Sequence, residues 1–173
     1  MPKLHQYYVD HLDQLLDHDC ELHQNFHNSI WASMTINFGP RTCCFYHTDL
    51  SNLPFSICSI LAAGKYNLKE GGHLMLWECG LVIEFPPGLT ILIPLAVITH
   101  SNVLVPKNSM RYSITQYIAK GIFRWVDHRF QTEESYWASL SDEEHVEEAH
   151  KMEWCADMGM GLFSTKDELL ALL

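Results

Sequence analysis

Apolar residues near the start of the chain recur at helical spacing. Over residues 4–16, Leu4, Tyr8, Leu12, Leu15 and Leu16 share one side, while Asp and His residues take the other. This predicts an amphipathic helix packed on a larger body. From residue 29 to about 130 the period shortens to runs rich in Ile, Val, Thr, Phe and Tyr, punctuated by Gly39-Pro40, Gly64, Gly71-Gly72, Pro86-Pro87-Gly88 and Pro106. Strands are expected near 31–37, 42–47, 55–62, 73–78, 81–85, 89–93, 97–101 and 110–118. That many short antiparallel strands predict a double-sheet jelly roll, a cupin-like double-stranded β-helix, within a mainly β, α+β fold. After Phe130 helical spacing returns, and Ser141-x-x-Glu144 reads as a capping box opening a helix. The expected organisation is an N-terminal helix over 1–28, a β core over 29–130 and an acidic helical tail over 131–173.

With 173 residues and 47% hydrophobic content, the chain can build one proper core but hardly two. Only 132–151 is polar enough to stand apart. The net charge of −10 argues against a broad phosphate-binding surface, whose affinity comes from cations displacing counterions. Acidic residues concentrate in 10–21 and 133–148. Between them lie Lys107, Arg111, Lys120, Arg124 and Arg129, which predict a small local basic region. Six cysteines without a C-x-x-C pair, and a first stretch without a signal-like apolar run, fit a reducing intracellular compartment, nucleus or cytoplasm. The longest apolar run, near 89–98, is interrupted by Pro94 and too short to span a bilayer, so no membrane anchor is expected.

The residues with candidate chemistry fall within the β region. His47-Thr48-Asp49 closes a predicted strand, and positions i and i+2 of a strand point to one face, so both side chains can reach one metal ion. An H-x-D triplet alone is weak, and His11-Leu12-Asp13 is a second one, read as a solvated helix face. The first has company: His100 closes a later strand, and Arg111-Tyr112-Ser113 follows. Two histidines and a carboxylate on one face are the ligand set of non-haem iron oxygenases. Arg111 and Ser113 share a strand face, where a guanidinium fork and a hydroxyl can converge on the distal carboxylate of 2-oxoglutarate. His73, after Gly71-Gly72, reads as a surface residue rather than a ligand. His145 and His150 lie off a common helical face and read as solvated. Cys43 and Cys44, on opposite faces of a strand, read as core packing.

Three stretches carry a family resemblance: NFGPRTCCFYHTDLSNLPF, GGHLMLWECGLVIEFPPGLTILIPLAVITHSN and MRYSITQYIAKGIFRWV. Over roughly residues 3–135 the chain resembles the TET/JBP-related 2-oxoglutarate oxygenase domains abundant in basidiomycete fungi. The resemblance implies iron(II) held by His47, Asp49 and His100, and 2-oxoglutarate held by Arg111 and Ser113. It also implies O2 as co-substrate and hydroxylation of the methyl group of a methylated base in DNA, with release of succinate and CO2. On this reading 5-methylcytosine is the first choice and N6-methyladenine the second, with Asn52 and Tyr117 near the base. Ala119 stands where animal relatives carry a base-contacting His, and relatives usually have a considerable segment before the first helix. Two alternatives follow: an oxygenase of the same fold acting on a protein side chain or small molecule, and a shortened non-catalytic binding module.

Overall fold

A computed structural model describes residues 1–171. Trp31–Ala119 form one compact unit, while Met1–Ile30 and the chain from Lys120 onward form a second. The first unit contains seven strands: β1 (Ser33–Asn37), β2 (Cys58–Lys65), β3 (Leu74–Leu76), β4 (Leu81–Ile83), β5 (Thr90–Ile93), β6 (His100–Asn102) and β7 (Met110–Tyr117). They make two antiparallel sheets, ordered β1-β7-β2-β5 and β4-β3-β6. Helices flank them in sequence, so the mixed α+β class with two antiparallel sheets, compatible with a jelly-roll core, is as the strand pattern predicts.

Alternation places the core. Cys58, Ile60 and Ala62 project from one face of β2 and join Leu74 and Leu76 of β3, with Phe85, Ile93 and Leu95 completing the buried cluster. Each Ile, Leu or Phe among them withdrawn from water contributes about 1.5–3 kcal/mol before the entropy cost of ordering. In the β2–β7 register Ala62 faces Ser113 and Gly64 faces Arg111. Gly64 has φ +116°, and a Cβ there would collide with the Met110 carbonyl, so glycine is required at this crossing.

The structure differs from the expected strands in three places. Residues 42–47 do not form a continuous strand; isolated bridges occur only at Arg41 and His47. The cause is local: the Cys44 N–H donates to the Asn102 side-chain Oδ1 at 2.7 Å, so a side chain takes the place of a ladder carbonyl. The run expected at 55–62 is shifted to Cys58–Lys65, because Leu53 to Ser56 turn, with Ser56 N bonded to Leu53 O at 2.9 Å. The run expected at 97–101 pairs only from His100, since Val97 and Ile98 both donate to Pro94 O at 3.2 Å.

The second unit is helical: α1 (Pro2–His18), α2 (Lys120–Asp127), α3 (Glu133–Ser139), α4 (Asp142–Gly161) and α5 (Lys166–Leu170). Leu4, Tyr8, His11 and Leu12 are the buried residues of α1, and Phe123 and Val126 those of α2. His11 is therefore not a solvated position: its ring stacks on Phe123 at 4.4 Å, and Nε2 lies 3.0 Å from Asp127 Oδ1. The i, i+3, i+4 pattern that buries Leu4, Tyr8 and Leu12 carries His11 with them, and Asp127 supplies the partner that burial demands. The capping box at Ser141 and Glu144 is present at the start of α4. His145 of α4 is half-buried and stacks on Trp137 at 5.5 Å rather than being fully solvated, whereas His150 is exposed.

Of the cations expected to form a basic region, three are buried or paired. Arg111 is buried, Arg124 pairs with Glu133 at 3.2 Å, and Arg129 pairs with Glu144 at 3.5 Å. Arg111 points inward from β7, and Arg124 and Arg129 find acidic partners within the helical unit, so these three add little to a basic surface. Among the described residues, no helix is long and apolar enough to cross a membrane.

Candidate active site

Backbone pairing sets the first two side chains of the site. His47 and His100 face each other as an antiparallel hydrogen-bonded pair, His47 N to His100 O at 3.1 Å and His100 N to His47 O at 2.9 Å. Their rings consequently lie side by side, with centroids 4.2 Å apart. Two residues past His47, the Asp49 N–H donates to Leu95 O at 3.0 Å, and its Oδ1 stands 3.4 Å from His47 Nε2. One ligand atom from each of His47, Asp49 and His100 falls within 4.8 Å of the others, and no other group of three metal-ligating side chains occurs among the described residues. Two metal bonds of roughly 2.0–2.2 Å at a right angle span about 3 Å, so these atoms would draw closer together around one ion.

The imidazoles are oriented for that task. His47 Nδ1 lies 2.7 Å from Phe45 O, and His100 Nδ1 lies 3.1 Å from Ile98 O. A carbonyl can only accept, so each Nδ1 carries a proton and each Nε2 is left toward the shared space. Burial, reinforced by neighbouring His47, holds the His100 pKa below the ordinary value against the Ile98 carbonyl, Asp49 and Glu78, favouring the neutral imidazole that binds metals. Thr48 and Thr99 stand next to these residues in sequence; Glu78 accepts from Thr99 N at 2.8 Å and from Thr99 Oγ1, and the Thr99 hydroxyl meets Thr48 Oγ1 at 3.1 Å. The residue before His100 is thus tied to the residue between His47 and Asp49. Those hydrogen bonds also hold the Glu78 carboxyl below its usual range.

The three side chains open on a cavity of about 530 Å³, whose wall also includes Asn52, Arg111, Ser113 and Tyr117. That size is in the range of small-molecule sites. Alternation along β7 puts Arg111, Ser113, Thr115 and Tyr117 on its cavity side, and Ile60, Leu74, Phe85 and Leu95 of the core form apolar wall. Asn37 Nδ2 donates to Ser113 Oγ at 3.1 Å, fixing that hydroxyl from β1.

Arg111 is 3% exposed. Its backbone is gripped on both sides, N to Pro40 O at 2.7 Å and O from Thr42 N at 3.1 Å. Its Nη1 donates to Thr42 O at 3.2 Å, while Nε is buried with no hydrogen-bond partner. Among the described residues, no carboxylate forms an ion pair with it. A buried cation without a counterion is costly, and one that lines a cavity is suited to an anionic ligand. The residues present therefore fit both a divalent metal and a carboxylate co-substrate.

Asn52 is 4% exposed and directs Nδ2 to Asp49 Oδ2 and Cys58 Sγ, each at 3.4 Å. Tyr117 meets Thr35 Oγ1 through its hydroxyl at 3.4 Å. His73 is not in the metal-ligating group. Cys43 and Cys44 line the cavity instead of packing in the core, since residues 42–47 lack regular strand alternation. Both thiols bond to Asn102, Cys44 Sγ to Oδ1 at 2.8 Å and Cys43 Sγ to the carbonyl at 3.3 Å. Burial pushes the Cys44 thiol pKa up against the pull of Arg111, keeping the thiol a donor. Asn102, Asn37 and Glu78 were not singled out from sequence. Only Asn102 carries a sequence signal, its place two residues after His100 on the same strand face.

No protein-family model matches the chain, and no curated protein matches it. Among solved structures, one similar chain is NgTET1 in complex with 5mC DNA, at 18% identity and a TM-score of 0.48. The match covers 66% of this chain and 47% of that one, so it spans less than half of NgTET1's length.

Proposed function

We propose that this chain is an iron(II) and 2-oxoglutarate dependent dioxygenase of TET/JBP type, which hydroxylates the methyl group of a methylated nucleobase, 5-methylcytosine first. The observation that carries this reading is the uncompensated Arg111 in the same cavity as His47, Asp49 and His100. A metal site alone suits many proteins; a buried guanidinium facing it adds the anchor that a dicarboxylate co-substrate needs.

On this reading His47, Asp49 and His100 would hold the iron, the two histidines donating from Nδ1 to the Phe45 and Ile98 carbonyls. Arg111 and Ser113 receive the distal carboxylate, Ser113 being fixed by Asn37. Bound iron with 2-oxoglutarate supplies oxygen activation coupled to decarboxylation, yielding succinate, CO2 and a hydroxymethyl product. The chain's own part is orientation and exclusion of water: apolar Ile60, Leu74, Phe85 and Leu95 dry one wall of the cavity. Asn52 acts as a positioning residue through the Asp49 carboxylate, and Tyr117 contributes cavity wall beside the base.

Anaerobic reconstitution with iron(II) followed by 2-oxoglutarate tests the assignment. The expected result is the weak visible charge-transfer band of a chelated 2-oxo acid, lost in Asp49→Ala. Absence of the band in the wild-type protein refutes the reading. A second reading, oxygenation of a protein side chain or small molecule, is favoured by Ala119, which stands where the resemblance expects a base-contacting His. Succinate formed without any oxidised oligonucleotide by mass spectrometry would select it.

A further inference from the structure

An arginine side chain is long and flexible, and its planar fork meets a carboxylate in two parallel hydrogen bonds only when its direction is already set. Thr42 O holds Nη1 of Arg111 at 3.2 Å, which fixes one end of the fork. The second hold comes from Tyr66, the residue that follows β2. Gly64 of β2 pairs with Arg111 and Lys65 with Met110, so Tyr66 leaves the strand beside the start of β7. Its hydroxyl donates to Phe85 O at 2.5 Å. With its proton on that carbonyl, the phenol oxygen presents lone pairs, and a guanidinium can only donate. The two groups meet: burial pushes the Tyr66 pKa up, while the positive charge of Arg111 and a hydrogen bond with its side chain pull it down.

Tyr66 is itself held in place. Gly72 has φ +79°, and a Cβ there would stand 2.5 Å from Tyr66 Cε2, so the ring lies close against bare glycine backbone. Gly72 N in turn donates to Val103 O at 2.9 Å. Phe85, whose carbonyl takes the Tyr66 proton, is fully buried in the core and lines the cavity, where close packing leaves it no room to shift. Ring, hydroxyl and acceptor are each set by backbone or core. The chemical character of the hold matters as well. A carboxylate in place of the phenol would orient Arg111 but neutralise it, whereas a neutral hydroxyl orients the fork and leaves its full charge for a ligand.

We propose that Tyr66 is the positioning residue of Arg111, aiming its guanidinium so that the cavity selects 2-oxo acids bearing a distal carboxylate. This deepens the 2-oxoglutarate reading and rests on it for the identity of the ligand, while the hold on Arg111 belongs to the protein alone. Tyr66 is not among the residues that line the cavity, so it acts through Arg111 rather than by touching the co-substrate.

Tyr66→Phe removes the hydroxyl and keeps the ring against Gly72. With iron(II) bound and oxygen absent, 2-oxoglutarate and 2-oxovalerate are titrated into wild type and variant, each followed by its charge-transfer band. The two acids chelate a metal through the same atoms, and 2-oxovalerate ends in a methyl group where 2-oxoglutarate has its distal carboxylate. The variant is expected to bind 2-oxoglutarate at least about tenfold more weakly, the lower end for a hydrogen bond to a charged group, and to bind 2-oxovalerate as wild type does. Equal weakening of both acids, which a loss of wall packing would give, overturns the proposal, and so does unchanged 2-oxoglutarate affinity. A second readout needs no iron: the Nη nitrogens of Arg111, one of four arginines in the chain, should give separate NMR signals in wild type and averaged signals in Tyr66→Phe, where rotation of the fork is freed. Averaged signals already in the wild type overturn the proposal. Separate signals that the variant averages, with no band from either acid in the wild type, would refute the oxygenase reading and uphold the hold of Tyr66 on Arg111, so the two fail separately.

Discussion

Arg111 concentrates the unusual chemistry of single residues. A guanidinium buried to 3% exposure, with a donor left unpaired, is stable only if what it faces is worth more than its desolvation. Arg111→Lys keeps the charge but loses the planar fork. It should weaken 2-oxoglutarate binding by about 10- to 150-fold, the value of one charge-assisted hydrogen bond, with iron affinity unchanged, as calorimetric titration of each ligand would report. Equal loss of iron and co-substrate would instead mean that the residue holds the cavity wall together. The histidines show the same economy of means, since one carbonyl per ring fixes the tautomer and leaves Nε2 free to meet a metal ion if one binds.

Between elements, contacts of a few atoms fix the geometry. Gly64 on β2 crosses β7 opposite Arg111 at φ +116°. Gly64→Ala should cost about 1–3 kcal/mol through strain and displacement of the Met110–Arg111 backbone, seen as a lower midpoint in urea together with weakened 2-oxoglutarate binding. In the helical unit α1 meets α2 through His11. Burial lowers its pKa, but the Asp127 hydrogen bond, the Tyr7 carbonyl and the charges of Asp127 and Asp10 together raise it above 6.5. A raised value in the folded state means the contribution is full below pH 6.5 and disappears as pH rises through the folded value. Wild type should therefore lose stability relative to His11→Gln on going from pH 6 to pH 8, measured by urea unfolding at each pH. Parallel curves would show that the His11 ring serves packing on Phe123 alone.

Taken whole, the chain divides its charge unevenly. Outside Trp31–Ala119 it carries six Lys and Arg against 17 Asp and Glu, so the net charge of −10 belongs to the helices and not to the unit that holds the cavity. A composition average therefore says little about what approaches the site. The cavity shares Ile60, Leu74, Phe85 and Leu95 with the core, which links ligand binding to the stability of the β unit. Iron(II) at 100 times its dissociation constant should stabilise the protein by about 2.7 kcal/mol, raising the melting temperature. His47→Ala should abolish that rise while leaving the apoprotein transition near its wild-type position, because His47 is largely exposed. A persistent rise in the variant would place the metal elsewhere.

Local physics made much of this legible in advance. Alternation at period 2 marked β1 and β7, put Arg111 and Ser113 on one face, and the S-x-x-E spacing marked the cap of α4. These features depend on residues a few positions apart, where side-chain direction follows from backbone geometry. What lay beyond reach depends on partners distant in sequence. The Asn102 side chain interrupts the expected strand at 42–47 and turns Cys43 and Cys44 toward the cavity. Asp127 makes His11 a buried contact where its own surroundings suggested a solvated one. The tertiary structure likewise decided the burial of Arg111 and the exposure of Phe38 and Phe45. An apolar residue in a β run is read as core until the fold determines which face has anything to pack against.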